Sequence, residues 1–235
     1  MTRRVQPELL DQLPPDDAAA RGSRRDLRRI NRLMGNAGAL ISGIRRLPPP
    51  VPHRPWTVVE AGAGDGTLAA RVWDRLPPPP GGSRILLLDQ VNVTEPQALN
   101  RLRARNWDPE VRVMRFEDWL TPPVSSRVDL VYANLFLHHF DSGALVSLLS
   151  QLAQRTASVV LVEPRRSAVA LLGARMLRWV GCNAVTRHDA VRSVHAGFRG
   201  SELSEAWPRD GTWILQERAA GPFAHTFVAR RREPR

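Results

Sequence analysis

The stretch TVVEAGAGDG, Thr57 to Gly66, restricts the fold of this chain more than any other. A short apolar run carrying the acid Glu60 gives way to glycines at 62, 64 and 66. Gly62 and Gly64 let the backbone turn sharply and come close to a ligand. The apolar run reads as a buried strand, and Leu68, Ala69, Val72 and Leu76 beyond the turn recur at helical spacing. Such a turn lies at the carboxyl end of its strand, where open α/β sheets bind ligands. The helix start after it offers free N–H groups to an anion.

Alternating strand and helix patterns continue downstream. Arg84–Asp89 is a continuous apolar run ending in an acid, as in a central parallel strand. Val111–Phe116, Val128–Ala133 and Ser158–Glu163 predict three further strands, with helices over 67–76, 95–106, 142–155 and 168–180. Thr212–Glu217 and Phe223–Ala229, joined by RAAGP, predict an antiparallel hairpin. Shorter helices are expected at 188–196, with His188 and Asp189 at its N-cap, and at 201–207. The expected fold class is α/β: a doubly wound, mostly parallel seven-stranded sheet of Rossmann-like type closed by a C-terminal antiparallel hairpin.

Upstream, Ser23 and Asp26 have the spacing of a capping box. Leu27, Ile30, Met34, Ala37, Ile41 and Ile44 continue as one apolar helical stripe, and Gly35 and Gly38 predict a bend within it. The expected organisation is a helical arm or lid over residues 1–47, a stiff connector from Pro48 to Pro55, and a ligand-binding domain over 54–235.

At 235 residues and 43% hydrophobic, the chain fits one domain with a small appendage. Its single cysteine, Cys182, excludes an internal disulfide and suits a reducing compartment. MTRRVQPELL lacks the apolar core of a signal peptide, and no apolar run is long enough to span a bilayer, so the expected location is cytoplasmic. The net charge is +11, and all 34 basic residues are arginine. This permits nucleic-acid binding, but the arginines are spread along the chain, densest at Arg24–Arg29 and Arg230–Arg235, and read as solvated helix faces. Oligomeric state is not legible.

Glycine spacing separates the cofactor classes. A dinucleotide turn places a third glycine at position 67; Thr67 stands there, which disfavours a nicotinamide oxidoreductase. Asp89 ends the second strand about 20 residues on, where an acid accepts hydrogen bonds from ribose hydroxyls. At these residues the chain resembles the class I S-adenosylmethionine-dependent methyltransferases, over most of residues 54–230. VVEAGAGDG looks like the first motif of that family, LLLDQ its second, FEDWL (Phe116 to Leu120) its third, VDLVYANLFLHHF its fourth and VVLVEP its fifth. NLFLHHF is similar to the ubiquinone and menaquinone C-methyltransferase branch and to related bacterial small-molecule enzymes. RRDLRRINRLMGN and SVHAGFRGSEL look like a bacterial branch that often accompanies polyketide-type pathways.

The resemblance implies S-adenosylmethionine as cofactor. It puts Glu60, Ala61, Gly62, Ala63 and Gly64 around the methionine moiety, Asp89 and Gln90 at the ribose, Asp118 and Trp119 at the adenine, and Asn134 and Leu135 beside the methyl group. Methyl transfer needs an acceptor held in line in a dry site, and a base only where the acceptor must lose a proton. His138 and His139 come after the fourth strand, and His139 is the candidate catalytic base. The histidines are too scattered along the chain to suggest a metal site. The expected reaction is O- or C-methylation of a small organic acceptor on an aromatic or polyketide-like scaffold, with Trp179, Phe198 and Trp207 as pocket candidates. The alternatives are an RNA or DNA methyltransferase and a non-catalytic cofactor-binding scaffold. Against the first, Asn134-Leu135-Phe136-Leu137 departs from the [ND]-P-P-[YFW] pattern of enzymes that methylate base amines, and aromatics for base stacking are only 6%.

Overall fold

The computed structural model describes residues 1–48, 53–121 and 127–232. Residues 49–52 of the expected connector and 233–235 of the C-terminal arginine group lie outside the described residues. Seven strands, β1 (Thr57–Ala61), β2 (Ser83–Asp89), β3 (Trp107–Val113), β4 (Val128–Asn134), β5 (Thr156–Pro164), β6 (Trp213–Ala220) and β7 (Ala224–Arg231), form one sheet. The order is β3-β2-β1-β4-β5-β7-β6. β1 to β5 are parallel, β7 is antiparallel to β5, and β6 is antiparallel to β7. The chain steps outward from β1 to β3, then returns to lay β4 on the other side of β1. The switch point therefore falls between β1 and β4, beside the glycine turn.

Helices cover both faces: α1 (Ala18–Leu33), α2 (Asn36–Ile44), α3 (Thr67–Trp73), α4 (Pro96–Arg103), α5 (Phe116–Leu120), α6 (Ser142–Arg155), α7 (Ala168–Met176), α8 (Ala184–Ala196) and α9 (Glu202–Ala206). Strand alternation sends Val58 into one core with Leu40, Ile41, Trp73, Tyr132 and Val160 under α2, α3 and α4. It sends Val59 and Ala61 into the other with Phe116, Leu149, Phe198 and Trp207 under α5, α6 and α9. Burial on both faces explains why the central strands read as continuous apolar runs. Among the described residues no helix is long and apolar enough to cross a membrane.

Several local expectations shift. The third strand is Trp107–Val113, because Phe116, Trp119 and Leu120 turn inward from a short helix instead of extending the strand. Pro109 is tolerated in β3 because that strand is an edge. The first helix starts earlier than Ser23: Asp17 caps it, accepting from the Ala19 and Ala20 N–H groups. Ser23 and Asp26 face inward and meet the Thr186 hydroxyl at 3.0 and 3.1 Å. Accordingly, the apolar stripe holds on α2, where Ala37, Leu40, Ile41 and Ile44 are buried, while α1 buries Ala20, Ser23 and Asp26. Gly35, at φ +70°, makes the expected bend. The cap of α8 is Asn183, which accepts from the Thr186 N–H at 2.8 Å.

Candidate active site

The glycine turn leaves β1 with Gly62, Gly64 and Gly66 at φ +68°, +54° and +74°, a region that L side chains rarely adopt. Gly62 and Ala63 donate to the Leu88 carbonyl at 2.9 and 3.0 Å, fastening the turn to the end of β2. A Cβ on Gly62 would lie 2.7 Å from the Phe136 ring, whereas one on Gly64 would meet nothing within 4 Å. The turn is thus backed by an aromatic at Gly62 and open at Gly64. Asp89 accepts the Gly64 N–H at 2.8 Å through Oδ2 and the Val91 N–H at 3.0 Å through Oδ1. Gln90 beside it is exposed. Thr67, the residue that breaks the dinucleotide spacing, donates its N–H and its hydroxyl to Asp65 at 2.9 and 2.6 Å.

Helix α1 lies against this turn. Arg28 donates to Asp65 at 2.5 Å and to Glu95 at 3.0 Å, spanning the loops after β1 and β2. Beneath it is a small amide cluster. Asn31 Oδ1 receives the side-chain amides of Asn36 at 2.9 Å and Asn134 at 3.3 Å. The register Ala61↔Ala133 sets Asn134 level with Gly62. Asn36 and Asn134 each keep a buried Oδ1 with no hydrogen-bond donor. A buried, unpaired carbonyl is costly, so two in one cluster mark a place that a ligand donor suits. Glu60 is buried below the turn and accepts from the Tyr132 hydroxyl at 3.1 Å. Burial pushes its carboxyl up to about 8, against the Tyr132 hydrogen bond and helped by the charges of Asp65 and Asp89.

Beyond β4 the backbone is strained: Leu135 sits at φ +52°. The fully buried Glu163 at the end of β5 holds the segment from Phe136 to His138. Its carboxylate accepts the N–H groups of Phe136, Leu137 and His138 at 3.1, 2.8 and 3.3 Å, and His138 Nδ1 at 3.0 Å. His138 Nε2 meets Glu8 at 3.3 Å. Burial lowers the His138 pKa, but these two carboxylates outweigh it and raise the ring to about 9, so at neutral pH it is an imidazolium donating to both. Burial opposes ionisation of Glu8 as well, yet His138 holds it below its ordinary value. His139 is different. Its side chain is 30% exposed against 3% for His138, with Nδ1 3.4 Å from Asp11. Burial, then the charge of His138, pushes it down to about 4. Burial together with Glu8 and Asp189 pushes Asp11 up to about 6.

Glu8 and Asp11 belong to an N-terminal arm threaded over the ends of β4 and β5. Arg3 donates to the Ala196 and Phe140 carbonyls at 2.8 and 2.7 Å. The Asp189 carboxylate accepts the Leu9 and Leu10 N–H groups at 2.8 and 2.9 Å. Asp189 thus anchors the arm instead of capping α8. The arm brings Glu8 to the adjacent His138 and His139 with candidate ligand atoms within 4.8 Å of one another, a grouping with a carboxylate 130 positions away that the sequence did not reveal. Both nitrogens of His138 already face carboxylates, the arrangement of a satisfied ion triad.

The strand ends therefore bring Glu60 to Gly64, Asp89, Gln90, Asn134 and Leu135 to the carboxyl end of the sheet, with His138 and His139 next along the chain. Asp118 is exposed on α5. Trp119 is packed into the core, stacked on Phe116 at 5.6 Å with the Arg155 guanidinium 5.1 Å from its ring. The expected aromatic pocket does not form: Phe198 and Trp207 are core residues, and Trp179 stands on the surface 72% exposed. Arg28, Asn31, Asn36, Glu8, Asp11 and Glu163 were not anticipated. Arg28, Asn31 and Asn36 lie in the RRDLRRINRLMGN segment and Glu163 in VVLVEP, but neither segment by itself assigned them a role.

No protein-family model matches the chain, and no curated protein matches its sequence. Solved structures do. The plantazolicin methyltransferase BpumL in complex with SAH (S-adenosylhomocysteine) superposes with a TM-score of 0.63, covering 92% of each chain at 12% identity. The same enzyme with a monoazolic desmethylPZN analog and SAH gives 0.62, over 92% of this chain and 91% of that one, also at 12% identity. An O-methyltransferase family protein from Burkholderia thailandensis gives 0.56 at 17% identity, over 93% of this chain and 64% of that one. At such identities the likeness is one of fold: the chain has the Rossmann-like fold of the class I methyltransferases.

Proposed function

We propose that this chain is an S-adenosylmethionine-dependent methyltransferase acting at oxygen or carbon of a small organic acceptor, on an aromatic or polyketide-like scaffold. The observation that carries the reading is the set of unspent acceptors around one open turn: Asp89, with a lone pair left on each oxygen, and the orphaned carbonyls of Asn36 and Asn134. Ribose hydroxyls suit the first and an ammonium group suits the second. Glu60 to Gly64 would cradle the methionine end, Asp89 and Gln90 the ribose, Asp118 the adenine amino group, and Asn134 and Leu135 the neighbourhood of the transferred methyl. Trp119 would support the adenine site through Phe116, on which it stacks. When bound, the cofactor supplies an electrophilic methyl group on a sulfonium.

The chain's own part is to orient the acceptor and keep water out. The arm and α1 border the site on the side where an acceptor would enter, and Arg28 latches α1 to the turn. Arg28→Ala is expected to raise amide hydrogen exchange across residues 18–33 while weakening S-adenosylhomocysteine affinity by no more than about fivefold, since the pair is partly exposed. Unchanged exchange would mean that α1 is held by its other contacts and that Arg28 is no latch.

His139 is the proposed base. It is neutral at pH 7 and the more accessible of the two histidines. Its low pKa makes it a weak base, which matches acceptors whose proton is already acidic, such as phenols and enols. His139→Ala should leave S-adenosylhomocysteine affinity within about twofold and lower turnover on a phenolic acceptor about 100-fold. Turnover that survives the substitution would assign proton removal elsewhere.

A further inference from the structure

The helix α7 and the short 3-10 turn after it, Leu177–Val180, are built inside out. α7 buries its small residues, Ala170 and Ala174, against Val194 of α8. Leu171 packs partly against that cluster, but the other large apolar side chains turn outward: Val169 is 58% exposed, Leu172 59% and Met176 52%, followed by Trp179 at 72% and Val180 at 60%. These positions recur at helical spacing and form one stripe. Of the nine exposed large hydrophobic side chains among the described residues, five fall in these twelve positions, so the patch is concentrated and not the usual scatter.

The rim of the patch has one sign. Arg175, Arg178 and Arg187 line an open groove of about 600 Å³ together with Leu172, Met176 and Trp179. The Arg178 guanidinium lies 4.6 Å from the Trp179 ring centre. No aspartate or glutamate occurs from Pro164 to His188. The next acid, Asp189, is buried and occupied by the arm. The occupant of this face must therefore be apolar and anionic together. A second copy fails that test, because an isologous contact sets the same three arginines against themselves. An aromatic side chain at the edge of an aliphatic stripe, ringed by arginines, is the chemistry of a helix lying in the headgroup boundary of an anionic membrane.

We propose that the α7 face docks the protein peripherally on an anionic lipid bilayer, with Leu172, Met176 and Trp179 entering the headgroup boundary and Arg175, Arg178 and Arg187 meeting lipid phosphates. The inference stands apart from the methyltransferase reading. None of the hydrogen bonds that build the glycine turn, Asp89 or the amide cluster involves these side chains.

The test is co-sedimentation of the full chain with vesicles of phosphatidylcholine alone and of phosphatidylcholine mixed with phosphatidylglycerol. Binding to the mixed vesicles should be at least about tenfold tighter than to the neutral ones, and Arg175→Gln with Arg178→Gln should remove most of that difference. Met176→Ser with Trp179→Ser should weaken binding to mixed vesicles about tenfold while S-adenosylhomocysteine affinity is unchanged. Lipids brominated on their acyl chains should quench tryptophan emission in the wild type, and Trp179→Phe should lose that quenching while still binding. The proposal is overturned by no binding to mixed vesicles, or by binding that the serine substitutions leave intact, which would be non-specific attraction to a chain of charge +11. It is equally overturned if light scattering shows a dimer that those substitutions dissociate, or if the face captures only an acidic protein.

Discussion

Asp89→Ala is expected to weaken binding of S-adenosylhomocysteine by about 100-fold or more, measured by titration calorimetry. The carboxylate has two tasks at once. It holds the turn by accepting the Gly64 and Val91 N–H groups at 2.8 and 3.0 Å, and under the proposed function its remaining lone pairs accept the ribose hydroxyls. Hydrogen bonds to a charged group contribute about 1.5–3 kcal/mol each, and two lost to a ligand account for that drop. The alanine variant also frees the Gly64 amide, which loosens the turn. Asp89→Asn separates the two effects. Its one carbonyl oxygen can still hold a backbone N–H, but the amide nitrogen cannot accept a ribose hydroxyl, so affinity should fall nearly as far while thermal stability stays closer to the wild type. Unchanged affinity in both variants would remove Asp89 from the site.

Glu163→Ala has the largest expected effect on stability. One fully buried carboxylate accepts three backbone N–H groups and the ring of a buried imidazolium. Its removal leaves the segment after β4 without a cap and His138 with Glu8 alone, at a cost of about 3–5 kcal/mol in urea unfolding. His138 sets the sign of the triad's own pH dependence, while the raised Glu60 carboxyl adds a separate decline up to about pH 8 that Glu163 variants share. The folded pKa of His138, about 9, is above the unfolded value of about 6.5. The triad's contribution is therefore complete below about pH 6.5 and is lost as pH rises through about 9, a decline on the order of 3 kcal/mol. Glu163→Gln keeps one carbonyl oxygen for the Phe136 and Leu137 N–H groups, loses the acceptor that faces His138, and removes the charge. It should flatten that decline and cost less than the alanine. A wild-type stability that stays flat from pH 6 to pH 10 would show that the imidazolium is not the group that holds this segment.

The order of elements and the identity of the turn were legible because both depend on local chemistry. Glycines at 62 and 64 are needed for the positive φ found there, and apolar runs such as ILLLD are what a doubly covered strand requires. Element edges were less legible where packing overrode pattern. Phe116 was expected to end the third strand, yet with Trp119 and Leu120 it is drawn inward from a helix. Ser23 has a capping residue's identity but turns inward to Thr186, more than 160 positions away. No rule of local spacing contains that partner.

The candidate site divides the same way. The sequence by itself determined the turn, the acid at Asp89, the strand-end asparagine and the pair of histidines, since each is fixed by its place on its own strand. Only the tertiary structure decided how they differ in chemistry. His138 and His139 are adjacent and alike in sequence, but one is enclosed by Glu163 and Glu8 and raised to about 9, and the other is pushed to about 4 beside it. Those carboxylates come from distant parts of the chain, and so do the Asn31 and Asn36 amides that leave Asn134 with an unpaired oxygen. A pKa and an orphaned hydrogen-bonding atom are set by what surrounds a group in space, and residues distant in sequence supply those surroundings only when the chain folds.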